Sequence, residues 1–90
     1  MSDLNTYIDR QLKDPVFRKK YEASRDEFNI ARAVIEARLE ANLTQEELAK
    51  KSGIRQSNIS RIENGTSSPT VDTLARLAEG MGKRLTIEFR

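Results

Sequence analysis

The feature that most constrains this sequence is a pair of short helix signals between residues 44 and 65. Thr44 and Glu47 have the spacing of a capping box, in which each side chain accepts a hydrogen bond from the other residue's backbone amide. This pattern predicts a helix that runs to about residue 52. Gly53 then ends it, because a residue without Cβ adopts the left-handed backbone of a tight turn at little cost. A second helix is predicted over residues 56–63.

The spacing inside this segment predicts how the two helices meet. Counting from Gln45, the small residue Ala49 is fifth and lets the helices approach closely, while Gly53 is ninth and makes the turn. The apolar positions that fill the space between the helices are Leu48, Ile54, Ile59 and Ile62. The side chains left outside on the second helix are Gln56, Ser57, Ser60 and Arg61. These polar side chains can hydrogen-bond base edges in the major groove, so the segment is typical of a helix-turn-helix that reads DNA.

Further helices are predicted on both sides of this unit. From residue 28 to residue 41, Phe28, Ala31, Val34/Ile35 and Leu39 keep a helical period, and Asn42 is a left-handed terminator. Another helix follows Pro69 and Thr70. Before them, residues 4–13 form a helix candidate and a second one begins near Pro15. The chain is therefore divided into an N-terminal helical extension (1–27), a helix-turn-helix domain (28–82) and a C-terminal segment (83–90).

The C-terminal segment has a different period. Leu85, Ile87 and Phe89 alternate with polar residues, which is the pattern of a half-buried β-strand. The chain offers this strand no partner, so it either pairs across a dimer or covers the core of its own subunit. The expected fold class is an all-α helix-turn-helix bundle with an N-terminal helical extension and one C-terminal β-strand, favoured to pair across a dimer.

Composition excludes most catalytic chemistry. The chain has 90 residues with neither cysteine nor histidine, which removes disulfides, the commonest metal ligands and the usual general base. We therefore expect no enzyme activity, metal or cofactor. Residues 30–90 carry ten Lys/Arg against eight Asp/Glu, so the net charge of +2 arises there. Apolar runs are too short to span a bilayer, and we expect a cytoplasmic protein.

The stretch "LTQEELAKKSGIRQSNISRIENG" followed by "SPTVDTLARLAEGMGKRL" resembles the Cro/lambda-repressor-type (Xre) helix-turn-helix family. The resemblance covers residues 28–84. It implies a bundle of four or five helices that binds operator DNA as a two-fold dimer, with the third helix in the major groove. The expected partners are thus a second copy of the chain and double-stranded DNA with an inverted repeat.

The resemblance also implies roles for individual residues. By position, the base-reading residues are Gln56, Ser57 and Arg61, with Asn58 and Ser60 nearby. Phosphate contacts fall to Gln45, which also braces Gln56, and to Asn64 and Thr66. Residues with a structural role are Arg38 and Glu63, as an ion pair, together with Ala49 and Gly53. Arg55 departs from the family, which commonly has Ser, Thr or Asn at this helix cap, and it can instead place a cation on a phosphate.

The two ends of the chain resemble a narrower class. "LKDPVFRKKYE" before the domain and "GKRLTIEFR" after it are similar to segments of HigA-type antitoxins from toxin–antitoxin modules. This implies a protein that represses its own operon, with residues 1–27 as a candidate binding site for a small RNase toxin of the RelE/HigB type. Leu85, Ile87 and Phe89 would then form an intermolecular strand.

Other interpretations stay open at this point. The helix-turn-helix can be an ordinary helical hairpin with solvated polar residues. The protein can be a stand-alone regulator without a toxin, or mainly a protein-interaction module. Tyr7, Phe17 and Tyr21 can contact a toxin or pack on the domain.

Overall fold

The computed structural model describes Pro15, which is helical and exposed, and residues 25–90. The described residues form four α-helices joined by short connections. These are α1 (Arg25–Glu40), α2 (Gln45–Ser52), α3 (Gln56–Glu63) and α4 (Val71–Gly80). The predicted helix over residues 4–13 lies outside the described residues. The predicted boundary between residues 27 and 28 falls inside α1.

The helices begin and end where local hydrogen bonds favour it. The predicted capping box is confirmed: the Thr44 amide donates to Glu47 Oε1 at 2.9 Å, and the Glu47 amide donates to Thr44 Oγ1 at 3.0 Å. Gly53 has φ +74° and donates to the Ala49 carbonyl at 3.0 Å. Asn42, with φ +58°, provides the predicted left-handed turn after α1. Short-range signals therefore set the ends of α1 and α2.

The core lies where all four helices meet. α1 packs on α3, and α2 packs on both α3 and α4. The fully buried side chains are Leu48, Ile59, Ile62 and Leu77. Val34 completes the core cluster, and partly buried Ala49 and Ile54 pack against it. Burial of each large aliphatic side chain contributes about 1.5–3 kcal/mol, so these contacts dominate the stability of so small a domain.

The ends of α2 and α4 approach closely at Gly80. A Cβ at Gly80 would lie 3.1 Å from the backbone nitrogen of Ser52. Thr70 caps the other end of α4, where its hydroxyl accepts from the Thr73 amide at 3.1 Å. The close approach at Gly80 brings the C-terminal end of α4 against the end of α2.

Leu39 lies outside the core, although the helical period of α1 predicted it on the buried face. Its exposed fraction is 47%. The inward-facing stripe of α1 instead passes through buried Ala31 and Val34 and half-buried Arg38, at spacings of three and four residues. Because each residue turns a helix by about 100°, Leu39 points away from this stripe. Arg38, and not Leu39, therefore lies on the inward-facing side of α1.

The predicted C-terminal strand is not present. No strand occurs among residues 25–90, and residues 83–90 have no regular secondary structure. Leu85 is half-buried, whereas Ile87 and Phe89 are 63% and 97% exposed. A strand needs a neighbouring backbone to complete its hydrogen bonds, and the described part of this single chain supplies none.

Across the described ranges, we find no helix with both the length and the apolar character required to cross a bilayer.

Candidate nucleic-acid interface

Helix α3 has one buried and one exposed face. Ile59 and Ile62 are fully buried and hold the helix on the core. Gln56, Ser57 and Arg61 are exposed, and the helical repeat places Ser57 and Arg61 together on the side away from Ile59 and Ile62. The structure therefore brings the three principal predicted base-reading residues to the surface.

Asn58 and Ser60 are less accessible than these three residues. Both are half-buried. Asn58 lies four residues before Ile62, so the two share one side of α3. Ser60 lies closer to the outward face, and its carbonyl accepts from the Asn64 amide at 3.0 Å. The geometry separates Asn58 from the outward-facing residues, a distinction that the sequence interpretation did not make.

A half-buried ion pair fixes α3 to α1. Arg38 Nε donates to Glu63 Oε2 at 2.8 Å and its Nη2 donates to Oε1 at 2.9 Å. The side chains are only 14% and 5% exposed. The remaining Arg38 donor, Nη1, binds the Leu43 carbonyl at 2.9 Å. Arg38 and Glu63 thus form the ion pair that the family resemblance implied, with the two parallel hydrogen bonds that make arginine–carboxylate pairs directional.

Gln45 joins this ion pair. Its Nε2 donates to Glu63 Oε1 at 3.0 Å, linking the first residue of α2 to the last residue of α3. The resemblance assigned Gln45 to a phosphate and to Gln56, whereas its hydrogen bond here is to Glu63. Because 18 residues separate the two side chains, no local sequence signal indicates this contact.

Arg55 occupies the N-cap of α3 without capping it. Its backbone is extended, with φ −60° and ψ 139°, and its side chain makes no cap hydrogen bond. Within residues 25–90, neither Arg55 nor Arg61 lies in an ion pair, whereas Glu63, the single acidic residue of α3, is paired with Arg38. The accessible face of α3 therefore carries uncompensated positive charge, as a surface that approaches phosphates requires.

The residues after α3 use many of their donors internally. Both the amide and the hydroxyl of Thr66 donate to the Arg61 carbonyl, at 3.2 and 3.1 Å. The Gly65 amide donates to the Ile62 carbonyl at 3.0 Å. In this conformation the predicted phosphate donors of Thr66 are occupied. The exposed side chain of Asn64 lies beside them.

The start of α2 carries a perturbed carboxylate. The hydrogen bond from the Thr44 backbone amide, followed by the Thr44 hydroxyl, lowers the pKa of Glu47. The positive charges of Lys51 and Lys50 act in the same direction. Glu47 is therefore ionised at neutral pH and keeps the capping box intact.

Comparison with known proteins agrees with this geometry. A family model described as "Helix-turn-helix" matches residues 34–87. The chain is 34% identical over 86 residues to "Antitoxin HigA1" of Mycobacterium tuberculosis, which covers 94% of this chain and 58% of that protein. It is also 42% identical over 52 residues to "Uncharacterized HTH-type transcriptional regulator YqaF" of Bacillus subtilis, covering 58% of this chain and 68% of that protein.

A third relative is also named as a helix-turn-helix regulator. "Uncharacterized HTH-type transcriptional regulator" of Haemophilus influenzae is 34% identical over 58 residues, which is 64% of this chain and 59% of the relative. The chain spans 58% of the length of the HigA1 relative. No solved structure matches the chain.

Proposed function

Because this chain belongs to the Xre-type helix-turn-helix family, we propose that it is a sequence-specific DNA-binding regulator of transcription. The observation that carries this proposal is the exposed surface of α3, where Gln56, Ser57 and Arg61 are accessible and Ser57 and Arg61 lie opposite the fully buried Ile59 and Ile62. A straight helix of this length fits a major groove about 12 Å wide.

In the proposed complex, the exposed residues of α3 divide into two classes. Gln56, Ser57 and Arg61 contact base edges, and arginine suits the two acceptors of guanine. Arg55 and Asn64, at the two ends of α3, contact phosphates, which fix the register of the helix without reading sequence. The internal bonds of Thr66 argue for a smaller part for this residue.

We further propose a homodimeric repressor that binds an inverted repeat. Each copy presents one α3, and a two-fold dimer places the two helices in successive major grooves, about 34 Å apart. The operator then has two half-sites related by the same two-fold symmetry.

Site selection from random DNA, followed by affinity measurements, tests the DNA-binding proposal. We expect Arg61→Ala to cost about 1–3 kcal/mol and to relax the base preference at one position in each half-site. Arg55→Ala weakens binding to every sequence alike, and its salt dependence becomes shallower. Arg76→Ala is the matched control, because it removes an exposed arginine of α4 that pairs with Asp72. An unchanged selected site with Arg61→Ala would remove Arg61 from base reading, and an affinity independent of salt would argue against DNA.

A second proposed function is that of an antitoxin that neutralises a RelE/HigB-type RNase toxin. The similarity to HigA1 supports it, because an alignment over 94% of the chain includes most of residues 1–24, outside the helix-turn-helix match at 34–87. The similarity to regulators without "antitoxin" in their names favours the alternative of a stand-alone regulator.

Co-expression with a neighbouring toxin-like reading frame separates these two functions. We expect the antitoxin to relieve growth arrest and to co-purify with the toxin. Deletion of residues 1–24 abolishes co-purification and leaves DNA binding intact. The deletion ends before Arg25 because α1 begins there and Glu27 accepts a hydrogen bond from Ser68 at 2.7 Å. Growth arrest that the full chain does not relieve would argue against the antitoxin and favour the stand-alone regulator.

A further inference from the structure

Asn64 and Gly65, at the end of α3, form the single Asn–Gly dipeptide of this sequence. Asparagine is among the thermally labile residues of proteins, because the backbone nitrogen of the next residue can attack its side-chain amide. A glycine in that next position has no Cβ and leaves the nitrogen open to approach. The other asparagines of the described helices and turns precede bulky residues, since Asn29 and Asn58 precede isoleucine and Asn42 precedes leucine. This chemistry is therefore concentrated at the end of α3.

The deamidation of Asn64 consumes only water. The Gly65 backbone nitrogen bonds to Asn64 Cγ, the bond from Cγ to the side-chain nitrogen breaks, and that nitrogen leaves as ammonia with the former amide proton of Gly65. Water then opens the resulting succinimide ring. Attack of water at Cγ gives aspartate, and attack at the backbone carbonyl gives isoaspartate, whose main chain is longer by one carbon. Either product replaces a neutral amide with a carboxylate.

The folded backbone opposes ring closure. The succinimide ring is nearly flat, so the Gly65 nitrogen must lie on the same side as Cβ of Asn64. At the observed ψ of −3°, it lies instead on the side of the Asn64 backbone nitrogen. The Gly65 amide also donates to the Ile62 carbonyl at 3.0 Å. Ring closure therefore requires rotation about the Cα–C bond of Asn64, and this rotation breaks the hydrogen bond to Ile62.

The same rotation disrupts the turn that follows α3. The amide and the hydroxyl of Thr66 both donate to the Arg61 carbonyl, at 3.2 and 3.1 Å. Gly65 is buried, and the Phe28 ring of α1 lies so close that a Cβ on Gly65 would be 3.3 Å from it. The Gly65 nitrogen thus reaches the side-chain amide only when this turn separates from α1. Local openings of this kind at helix ends cost less free energy than global unfolding.

We propose that Asn64 is a modification site that the fold protects, that it deamidates when the end of α3 opens, and that its product irreversibly weakens DNA binding. The effect on DNA rests on the proposed function, in which Asn64 contacts a phosphate. A carboxylate at this position repels the phosphate. It also lies three residues after Arg61, a spacing at which opposite charges on a helix pair, so it competes with DNA for this side chain. The chain therefore loses DNA affinity according to how often the end of α3 has opened.

Tryptic peptide mapping by mass spectrometry, after incubation of the full chain at mildly alkaline pH, tests the protection. Asn42, Asn58 and Asn64 fall in three different tryptic peptides, so the conversion of each is measured separately. In urea, we expect Asn64 to convert faster than the other two by about tenfold or more, because only it precedes glycine. In the folded chain, Asn64 should convert more slowly than in urea by about tenfold or more. Equal rates at the three asparagines in urea, or equal rates for Asn64 with and without urea, would overturn the proposal.

Thr66→Val opens the turn without changing the Asn–Gly pair. It removes the hydroxyl that donates to the Arg61 carbonyl, at an exposed position where the chain should stay folded. We expect the conversion of Asn64 in the folded state to rise by about threefold to tenfold, while Asn58 keeps its rate. Thr86→Val is the matched control, because Thr86 is exposed and its hydroxyl has no hydrogen bond within residues 25–90. A rate at Asn64 that responded equally to both variants, or to neither, would contradict control by the turn.

Titration of fresh and aged samples with the DNA site selected from random sequence tests the consequence. The original chain should lose affinity in proportion to its converted fraction, and fresh Asn64→Asp, which carries the charge of the product, should bind about tenfold more weakly than the original chain. Asn64→Gln should keep through ageing the affinity with which it began, because its longer side chain closes a less favourable ring. Asn64→Asp that binds as tightly as the original chain would overturn the effect on DNA. A fresh original chain that binds no DNA would instead refute the proposed function, and the peptide mapping would still decide whether the fold protects Asn64.

Discussion

Gly65 combines two constraints at the end of α3. Its backbone has φ +72°, a conformation that strains residues with a Cβ. It is also buried, and a Cβ there would lie 3.3 Å from the Phe28 ring of α1. The chain can thus leave α3 sharply while α1 covers the turn, and both effects favour glycine.

Gly82 allows these constraints to be separated. It has nearly the same backbone, with φ +70°, but a Cβ at Gly82 would meet nothing within 4 Å. We expect Gly82→Ala to lower the free energy of unfolding by about 1 kcal/mol through backbone strain alone. Gly65→Ala should cost about 2–3 kcal/mol, because displacement of the Phe28 ring adds to the strain. Urea denaturation of both variants measures the difference, and equal losses would show that Phe28 yields freely.

At the scale of the helices, local chemistry decided what the sequence could predict. The limits of α2 depend on residues within four positions of each other, namely Thr44 with Glu47 and Gly53 with Ala49. The side chains and backbone conformations of these residues determine where the helix begins and ends, whatever the segment packs against. The exposed and buried faces of α3 follow in the same way from its helical period.

Long-range contacts could not be predicted in the same way. Arg38 donates to Glu63, which is 25 residues away, while the neighbouring Leu39 is exposed. The hydrogen bond from Gln45 to Glu63 likewise depends on how α2 and α3 pack. Alternating apolar residues at 85–89 indicate a strand, but only another backbone completes one. A sequence pattern indicates the conformation that one segment prefers, whereas these long-range contacts depend on how that segment packs against others.

Glu47 allows the charge contribution of the α2 capping box to be measured. Its pKa is lowered in the folded protein, chiefly by the Thr44 amide, so its ionised form stabilises the fold. Glu47→Gln keeps an acceptor for the Thr44 amide but removes the charge. At neutral pH we expect this variant to be less stable than the original chain. The difference should vanish as the pH falls through the folded pKa of Glu47, because the native carboxyl then becomes neutral too.

Chemical denaturation at a series of pH values measures this effect, and NMR titration locates the pKa directly. Glu46→Gln is the matched control, because Glu46 lies on the same turn of α2 but outside the capping box. A stability difference for Glu47→Gln that persisted at low pH would show that shape, and not charge, stabilises the start of α2.

For the molecule as a whole, the Arg38–Glu63 pair fixes the relative orientation of helices that the apolar core alone does not fix. The core side chains are aliphatic and their contacts are nondirectional. Arg38, in contrast, binds Glu63 of α3 and the Leu43 carbonyl before α2, while Gln45 of α2 binds the same carboxylate. Three helices are thereby held at fixed relative angles, and in the proposed complex the orientation of α3 determines which residues contact DNA.

This division between stability and orientation leads to a test with two readouts. Glu63→Leu should destabilise the fold by about 3 kcal/mol, because it leaves the Arg38 guanidinium, only 14% exposed, without its carboxylate. Arg38→Met combined with Glu63→Leu should recover most of this loss, since two apolar side chains fill the site without an unpaired charge. DNA affinity should not recover with it, because the apolar pair does not reproduce the directional bonds that orient α3. Denaturation and DNA titration of the single and double variants distinguish these effects. Recovery of both quantities together would show that the core alone orients α3.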